Sequence, residues 1–266
     1  MKLVLVQPDI LWESPTENLE NLNKLLEQIE GNPDLIILPE MFTTGFSMNT
    51  EEMAQPPENP VIGWMRGKAV RFKSAIMGSM IIADHKKKNN RKDGDDICYF
   101  NRLIFLSKEG DLFFYDKRHM FRMGGEGDHF SAGKNRLIVN HMAWKIFPLI
   151  CYDLRFPVWS RNREDYDLLI YVANWPAVRS DVWNTLLKAR AIENQSWVVG
   201  VNRTGKDGEG ISYIGESQII NPKGEVIEKL NGREMIREAD ISLEELDIFR
   251  QKFPVWKDRD HFEADW

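Results

Sequence analysis

The most informative stretch of the chain is Ile146-Phe147-Pro148-Leu149-Ile150-Cys151-Tyr152-Asp153-Leu154-Arg155-Phe156-Pro157. The five apolar residues at 146–150 predict a buried strand. The more polar residues that follow, ending in Pro157, predict a turn into a short helix. Cys151 stands at the junction, so a thiol is expected at the rim of a sheet, where rigid backbone can hold a reactive group. Backbone N–H groups at a helix start would stabilise its thiolate. The alternative interpretation is a buried structural cysteine.

Two other apolar runs also end at one ionisable residue each. Residues 35–39 are followed by Glu40, and residues 112–116 are followed by Lys117. Strand ends can bring side chains from distant parts of the sequence together at one rim. A carboxylate, an ammonium group and a thiol there would serve as a base, a cation for an oxyanion and a nucleophile. The trio predicts covalent hydrolysis of a carbon–nitrogen bond, although Glu40 and Lys117 taken alone are also typical of exposed loops.

The composition is that of a globular chain. Its 266 residues are 42% hydrophobic and 29% charged, which suits one large domain or two tightly fused halves. The net charge of −6 argues against nucleic acid or an anionic membrane as the main partner. The basic run at 86–92 is followed at once by aspartates and predicts a solvated hairpin tip.

Cysteine usage and hydropathy predict a cytoplasmic protein. The two cysteines, Cys98 and Cys151, cannot build a disulfide framework, and a reducing compartment would leave Cys151 free for chemistry. Residues 1–9 contain only a short apolar run, so no secretory signal is expected. No apolar run elsewhere approaches the length of a membrane span.

Strand-like and helix-like segments alternate through both halves of the chain. Ser14, Pro15 and Glu17 are typical of a helix start with a capping box. The apolar run at 168–173 is typical of a strand buried on both faces. Such alternation predicts an α/β protein in which sheets are layered between helices. Further strands are predicted at 3–7, 35–38, 75–83, 99–106, 112–115, 137–140, 143–150, 197–202, 215–221, 225–230 and 234–241, with helices at 61–73 and 181–194.

The chain resembles the nitrilase superfamily from Leu3 to about Ile241. The segments that carry the resemblance include those around the three strand ends. The matching segments are Leu38-Pro39-Glu40, Asp116-Lys117-Arg118-His119-Met120-Phe121, Ile150-Cys151-Tyr152-Asp153-Leu154-Arg155-Phe156-Pro157, Ala173-Asn174-Trp175-Pro176, Ala189-Arg190-Ala191-Ile192-Glu193-Asn194-Gln195 and Val201-Asn202-Arg203-Thr204-Gly205. The resemblance implies a four-layer αββα sandwich forming a single carbon-nitrogen hydrolase domain at 1–245. It also implies a homodimer or larger homo-oligomer, in which the aromatic tail at 246–266 would pack on a partner subunit.

The resemblance implies a Glu–Lys–Cys triad as well. Glu40 would be the general base, Lys117 the cation for the oxyanion, and Cys151 the nucleophile. The backbone N–H of Tyr152 would be the second oxyanion donor. Glu126 would be the second glutamate of the family, which positions the substrate and the lysine. Neither a metal ion nor a cofactor is implied.

Within the superfamily the chain is most similar to the bacterial omega-amidase branch, which hydrolyses the side-chain amides of 2-oxoglutaramate and 2-oxosuccinamate. The expected partner is therefore a small amide that bears a carboxylate, and Arg122 is one candidate cation for it. Arg155 is another, although an ion pair that braces the nucleophile turn is its expected role. The aromatic candidates for the pocket, each of which could instead be ordinary core, are Phe42, Phe46, Phe121 and Trp175.

Several other functions stay open from the sequence. A nitrilase, an N-carbamoyl amide hydrolase or an aliphatic amidase would share the same triad. A Cys–His hydrolase would use His119, His129 or His141, and a catalytically silent relative would keep the fold as a binding module. A metal hydrolase is disfavoured because the five histidines show no ligand spacing.

Overall fold

The computed structural model describes residues 1–86, 96–260 and 262. The strands are β1 (Lys2–Gln7), β2 (Leu35–Ile37), β3 (Ala75–Lys86), β4 (Asp96–Leu106), β5 (Leu112–Asp116), β6 (Val139–His141), β7 (Trp144–Ile150), β8 (Leu168–Val172), β9 (Trp197–Val201), β10 (Thr204–Lys206), β11 (Ser212–Ile214), β12 (Gln218–Ile220), β13 (Val226–Lys229) and β14 (Met235–Asp240). The helices are α1 (Pro15–Leu26), α2 (Thr50–Met53), α3 (Pro60–Phe72), α4 (Glu126–His129), α5 (Pro157–Ser160), α6 (Ser180–Asn194) and α7 (Leu243–Lys252).

Two six-stranded sheets form the centre of the molecule. The first has the order β14-β1-β2-β3-β4-β5, and the second has the order β13-β12-β9-β8-β7-β6. In each sheet three neighbouring strands are parallel, namely β1, β2 and β3 in the first and β7, β8 and β9 in the second. The other strands are antiparallel to their neighbours. The carboxyl ends of the parallel strands therefore lie at one edge of each sheet.

Side chains of the first sheet alternate between two cores, as the period of a strand requires. Leu3 and Leu5 of β1 share a core with Phe147 and other residues of the second sheet. Val4 and Val6 point the other way and pack with apolar residues of α1 and α3. The first sheet is thus sandwiched between helices on one side and the second sheet on the other.

Helix α6 covers the outer face of the second sheet. Its buried side chains Trp183, Leu187 and Ala191 belong to the same core as strands β8 and β9. Gly200 of β9 permits this close approach, because a Cβ atom there would lie 2.6 Å from side-chain atoms of both Leu187 and Trp183. The layers follow in the order helix, sheet, sheet, helix. The predicted αββα sandwich in a single domain is confirmed.

Local differences from the predicted elements have physical causes. The predicted strand at 215–221 is shortened to Gln218–Ile220, because Gly215 and Glu216 have φ of 67° and 59° and interrupt the extended backbone. The hairpin formed by β10 and β11 was not predicted. Helix α1 begins at Pro15 as expected, but Ser14 makes no capping hydrogen bond. Most of the predicted basic tip at 86–92 lies outside the described residues.

The predicted boundary between the domain and the tail falls inside a helix. Helix α7 runs from Leu243 to Lys252, and Leu246 is buried in the main core. Arg250 forms an ion pair with Asp167, 2.9 Å away, and donates from Nε to the carbonyl oxygen of Gln195. This part of the tail packs on its own subunit, and packing on a partner stays a prediction. Within the described ranges, no helix is long and apolar enough to cross a membrane.

Candidate active site

The three strand ends meet at one place between the sheets. Glu40 lies three residues beyond the end of β2, Lys117 directly follows β5, and Cys151 directly follows β7. Cys151 and Met41, the neighbour of Glu40, both have φ of 42°. This left-handed region is unfavourable for side chains with a Cβ atom and is used mainly where the surrounding structure enforces it, often at functional sites.

Lys117 is the centre of a buried cluster of charges. Its ammonium Nζ lies 3.0 Å from Oε1 of Glu40, and 2.8 and 2.9 Å from the two carboxylate oxygens of Glu126. All three side chains are at most 1% exposed. The ring of Phe46 lies 5.1 Å from the same nitrogen. The structure therefore brings together three of the four residues predicted to be catalytic around one ammonium group.

The two carboxylates keep this lysine charged. Burial alone would lower the pKa of Lys117, but the negative charges of Glu126 and Glu40 outweigh it and raise the pKa above its ordinary value. Burial raises the pKa of Glu126, which the nearby ammonium of Lys117 opposes. The cluster therefore presents a permanent cation held by two hydrogen-bond acceptors.

The surroundings of Cys151, the fourth member of the cluster, favour its thiol form over the thiolate. Its pKa is raised well above the ordinary value by burial and then by the charge of Glu40, and the charge of Lys117 offsets this only in part. Burial and the neighbouring carboxylate thus act against the thiolate that the helix start at Cys151–Arg155 was expected to stabilise. A nucleophile of this kind needs a base that removes its proton.

Two asparagines hold the carboxylate of Glu40. Asn101 donates from Nδ2 to Oε1 at 2.8 Å, and the backbone N–H of Asn174 donates to Oε2 at 2.7 Å. Asn174 also donates from Nδ2 to the carbonyl oxygen of Glu40 at 2.7 Å. Its own carbonyl oxygen lies 3.8 Å from Sγ of Cys151. Glu40 is thus fixed in orientation beside the thiol.

The thiol opens into a cavity of about 440 Å³. Trp175 and Tyr152 form part of the wall together with Arg155 and Arg179, while Glu40 and Glu126 lie behind Lys117. The hairpin of β10 and β11 closes one side. The full lining consists of Trp12, Glu13, Phe46, Met48, Asn49, Lys117, Phe121, Gly124, Cys151, Tyr152, Arg155, Asn174, Trp175, Pro176, Arg179, Asp207, Glu209, Ile211 and Tyr213.

This geometry agrees with what comparison of the whole chain finds. The family model for carbon-nitrogen hydrolases matches residues 2–251. The chain belongs to this family. It is therefore a hydrolase that acts on carbon–nitrogen bonds, within the nitrilase superfamily and on its omega-amidase-like branch.

Relatives of this carbon-nitrogen hydrolase match it over nearly their whole length. "Omega-amidase YafV" of Yersinia enterocolitica is 46% identical, with 98% of each chain covered. The "2-oxoglutaramate amidase" of Bacillus subtilis is 32% identical, with 95% of each chain covered. Among solved structures, XC1258 from Xanthomonas campestris is 39% identical with a TM-score of 0.91, covering 100% of this chain and 99% of that one. It is described as a CN-hydrolase superfamily protein with an arsenic adduct in the active site.

The predicted pocket residues of the carbon-nitrogen hydrolase divide into two groups. Phe121, Tyr152 and Trp175 line the cavity. Phe42 lies instead in the core between the first sheet and its helices, with its ring 6.1 Å from that of Trp64. Arg122 is exposed and is not part of the cavity wall, although Gly124 of the same 3₁₀ turn is. Neither Phe42 nor Arg122 is placed to contact a substrate at Cys151.

Two other arginines occupy the wall. Arg155 lies with its guanidinium carbon 5.3 Å from the ring of Trp175, and that of Arg179 lies 5.2 Å from the ring of Phe121. Within residues 1–86 and 96–260, neither guanidinium forms an ion pair with a carboxylate. The expected bracing ion pair of Arg155 was therefore wrong, and both side chains present positive charge to the cavity.

Two of the candidate histidines, His119 and His141, contact groups outside the cavity, and the third, His129, is exposed. Nδ1 of His119 lies 2.7 Å from a carboxylate oxygen of Asp153, and its ring stacks on Phe156. Nε2 of His141 lies 3.1 Å from the carbonyl oxygen of Asp34. None of these histidines lines the cavity, so the geometry disfavours a Cys–His pair. In the part of the chain that the structure describes, no group of three potential ligands is arranged to hold a metal ion.

Sequence reasoning missed three polar residues of the site, and each left a signal. Asn101 is a fully buried amide in the middle of β4, and the polar pair Asn101-Arg102 within an otherwise apolar stretch was visible in the sequence. Asn174 lies in a segment already recognised as a family motif, but no role was assigned to it. Arg179 follows the same segment and could have been grouped with Arg155 as a candidate cation.

Proposed function

We propose that this hydrolase is an omega-amidase that releases ammonia from the terminal amide of 2-oxoglutaramate or 2-oxosuccinamate. The observation that carries the proposal is the cavity itself, in which Cys151 shares one small space with two arginines that pair with no carboxylate among the described residues. A linear substrate would place its amide at Cys151 and its carboxylate at Arg155 or Arg179, which suit bidentate recognition. The names of the relatives from Yersinia enterocolitica and Bacillus subtilis support the same class of substrate.

In the first half of the proposed reaction, Glu40 takes the proton of the Cys151 thiol while sulfur attacks the amide carbon. The carbonyl oxygen becomes an oxyanion, held by the ammonium of Lys117 and the backbone N–H of Tyr152. The N–H of Tyr152 suits this role because the first N–H groups of a helical turn have no acceptor within it. Glu40 then returns the proton to nitrogen, the carbon–nitrogen bond breaks, and ammonia leaves a thioester on Cys151.

In the second half, a water molecule takes the place of ammonia. Glu40 accepts a proton from this water as its oxygen attacks the thioester carbon, and Lys117 again holds the oxyanion. The carbon–sulfur bond breaks, and the proton on Glu40 returns to the sulfur of Cys151. Glu126 keeps Lys117 charged and in place throughout, and the product is an oxo diacid.

The test is ammonia release from a panel of small amides. We expect kcat/KM for the oxo acid amides to exceed that of a neutral aliphatic amide by about 10- to 100-fold, the range for a hydrogen bond to a charged group. Nitriles and N-carbamoyl compounds should be poorer still. The Cys151→Ala protein should release no ammonia. A higher kcat/KM for the neutral amide, for a nitrile or for an N-carbamoyl compound would favour one of the other superfamily activities.

We also propose that the enzyme is a cytoplasmic homodimer or larger homo-oligomer. A free catalytic thiol is compatible with a reducing compartment. Phe253 and Val255 in the tail are 59% and 43% exposed, and such apolar side chains are suited to a subunit contact. Light scattering coupled to size-exclusion chromatography tests the assembly, and a monomer at micromolar concentration would contradict it.

A further inference from the structure

One buried carboxylate, that of Asp153, joins the two sheets close to the reactive cluster. Its Oδ2 accepts a hydrogen bond from the hydroxyl of Tyr115 in the first sheet at 2.7 Å, and from the backbone N–H of Ile150 in the second sheet at 3.2 Å. Its Oδ1 accepts from the backbone N–H of His119 at 3.0 Å and lies 2.7 Å from Nδ1 of the same residue. Asp153 is fully buried, so no water competes for these bonds.

The partners of Asp153 flank the two reactive groups along the chain. Tyr115 and His119 lie two residues before and two residues after Lys117, and Ile150 directly precedes Cys151. Lys117 and Cys151 follow strands of different sheets. The distance between the Lys117 ammonium and the Cys151 thiol therefore depends on the contacts between these two segments of the chain. Asp153 accepts hydrogen bonds from residues of both segments.

The Tyr115 hydroxyl is fixed as a donor to this carboxylate. It accepts hydrogen bonds from Nε1 of Trp159 at 3.0 Å and from the backbone N–H of Arg118 at 3.2 Å, so its own hydrogen is left for Asp153. Burial, and then the charge of Asp153, raises the pKa of Tyr115 well above its ordinary value. The hydroxyl thus stays protonated over the working range of the enzyme.

His119 is held from two sides. Its ring stacks on Phe156, with centroids 3.7 Å apart and planes within 3°. The distance to Asp153 requires a hydrogen on Nδ1, because a carboxylate can only accept. In this arrangement the ring orients the segment that follows Lys117 and takes no proton from Cys151.

We propose that Asp153, together with Tyr115 and His119, is a positioning device that sets the distance between the Lys117 ammonium and the Cys151 thiol. The inference rests on the proposed amide hydrolysis. These residues act through Lys117 and Cys151 and do not touch the substrate. Their loss should therefore weaken the oxyanion contact while leaving substrate binding at the arginines unchanged.

The test compares two tyrosine substitutions of the same kind. Tyr115→Phe removes the hydroxyl that bonds Asp153. Tyr166→Phe removes another fully buried hydroxyl, which donates to the carbonyl oxygen of Ser160 at 2.6 Å. Both should lower the melting temperature similarly, but only Tyr115→Phe should lower kcat, by about tenfold, with KM unchanged. Asp153→Asn should lower kcat further, by about 100-fold.

Alkylation of Cys151 by iodoacetamide separates positioning from general damage. This substitution at sulfur needs the thiol and its base but no oxyanion, so Tyr115→Phe should alkylate within about twofold of the wild-type rate. If kcat of Tyr115→Phe equals that of Tyr166→Phe, the inference is refuted. It is also refuted if the alkylation rate falls in parallel with kcat, or if the loss appears in KM. If the wild-type enzyme itself releases no ammonia from any amide, the proposed function fails instead, and the inference falls with it.

Discussion

Replacing Glu126 by glutamine changes the buried cluster at one position only. The Glu126 carboxylate accepts from Nζ of Lys117 through both oxygens, and its Oε2 also accepts from the backbone N–H of Phe121 at 2.6 Å. A glutamine side chain has one acceptor oxygen and one NH₂ donor. Whichever way it turns, its NH₂ group must face the ammonium of Lys117, and in one of the two orientations it also faces the N–H of Phe121.

The magnitude follows from this mismatch. A buried donor without an acceptor costs about 1–3 kcal/mol, so the free energy of unfolding of Glu126→Gln should fall by about that amount. Loss of an oxyanion donor costs about 10²- to 10³-fold in kcat. Because Lys117 is displaced and not removed, we expect kcat to fall by about 100-fold, at the lower end of that range. KM should change little, since the proposed binding site of the substrate carboxylate is at the arginines.

The measurement is ammonia release under steady-state conditions, together with urea unfolding of the same samples. Asp128→Asn is the matched control, because it removes an exposed carboxylate from the same short helix α4. We expect wild-type kcat and stability for that variant. The reasoning is refuted if Glu126→Gln keeps kcat within about threefold of wild type, or if the whole loss lies in KM, since Glu126 would then contact the substrate directly.

Three further predictions concern Cys151, its base and the arginines. Glu40→Gln should slow iodoacetamide alkylation of Cys151 at pH 7 by about 10²-fold or more, measured by mass spectrometry, because the thiol with a raised pKa has then lost its base. For the same reason the folded state keeps a proton that the unfolded chain releases above pH 9. Between pH 9 and 10 the free energy of unfolding of the wild type should therefore fall by about 1 kcal/mol relative to Cys151→Ala in urea unfolding, and parallel curves would contradict this. Arg155→Met or Arg179→Met should raise KM for an oxo acid amide by about 10- to 100-fold and leave a neutral amide unaffected, and equal effects on both substrates would exclude carboxylate binding.

The strand ends were predictable because local chemistry marks them. The apolar runs that stop at Glu40, Lys117 and Cys151 are all strand-like, although β5 proves to be an edge strand with Phe113 and Phe114 exposed, and the family motifs around them are contiguous in sequence. The alternation of strands and helices predicted sheets layered between helices, and the four-layer αββα order came from the family resemblance. The hairpin of β10 and β11, which closes the cavity, was not predicted because its three-residue strands are too short to show a period.

What sequence reasoning got wrong depends on the combined burial and charge of residues that lie far apart along the chain. The state of the Cys151 thiol reflects its burial and the charges of Glu40 and Lys117, whereas sequence shows only the local helix start. Arg155 was expected to pair with a neighbour, yet the nearby acid, Asp153, already accepts hydrogen bonds from Tyr115, His119 and Ile150. Which of these charged groups contact one another is set by the packing of the two sheets, which the local sequence does not show.

The arrangement of charges explains why a carboxylate, and not a histidine, suits this site as the base. With a neutral thiol, the cluster of Glu40, Glu126 and Lys117 carries one net negative charge. In the proposed attack the proton moves to Glu40 and the negative charge moves to the oxyanion, so the net charge of the buried site stays the same. The negative charge therefore lies beside the Lys117 ammonium both before the attack, on Glu40, and after it, on the oxyanion. A neutral histidine base would instead create a new pair of opposite charges in a region of low dielectric, where charge separation is costly. Glu126 does not take part in the proton transfer, and its role follows from the same reasoning: it keeps the lysine charged at the moment when Glu40 becomes neutral.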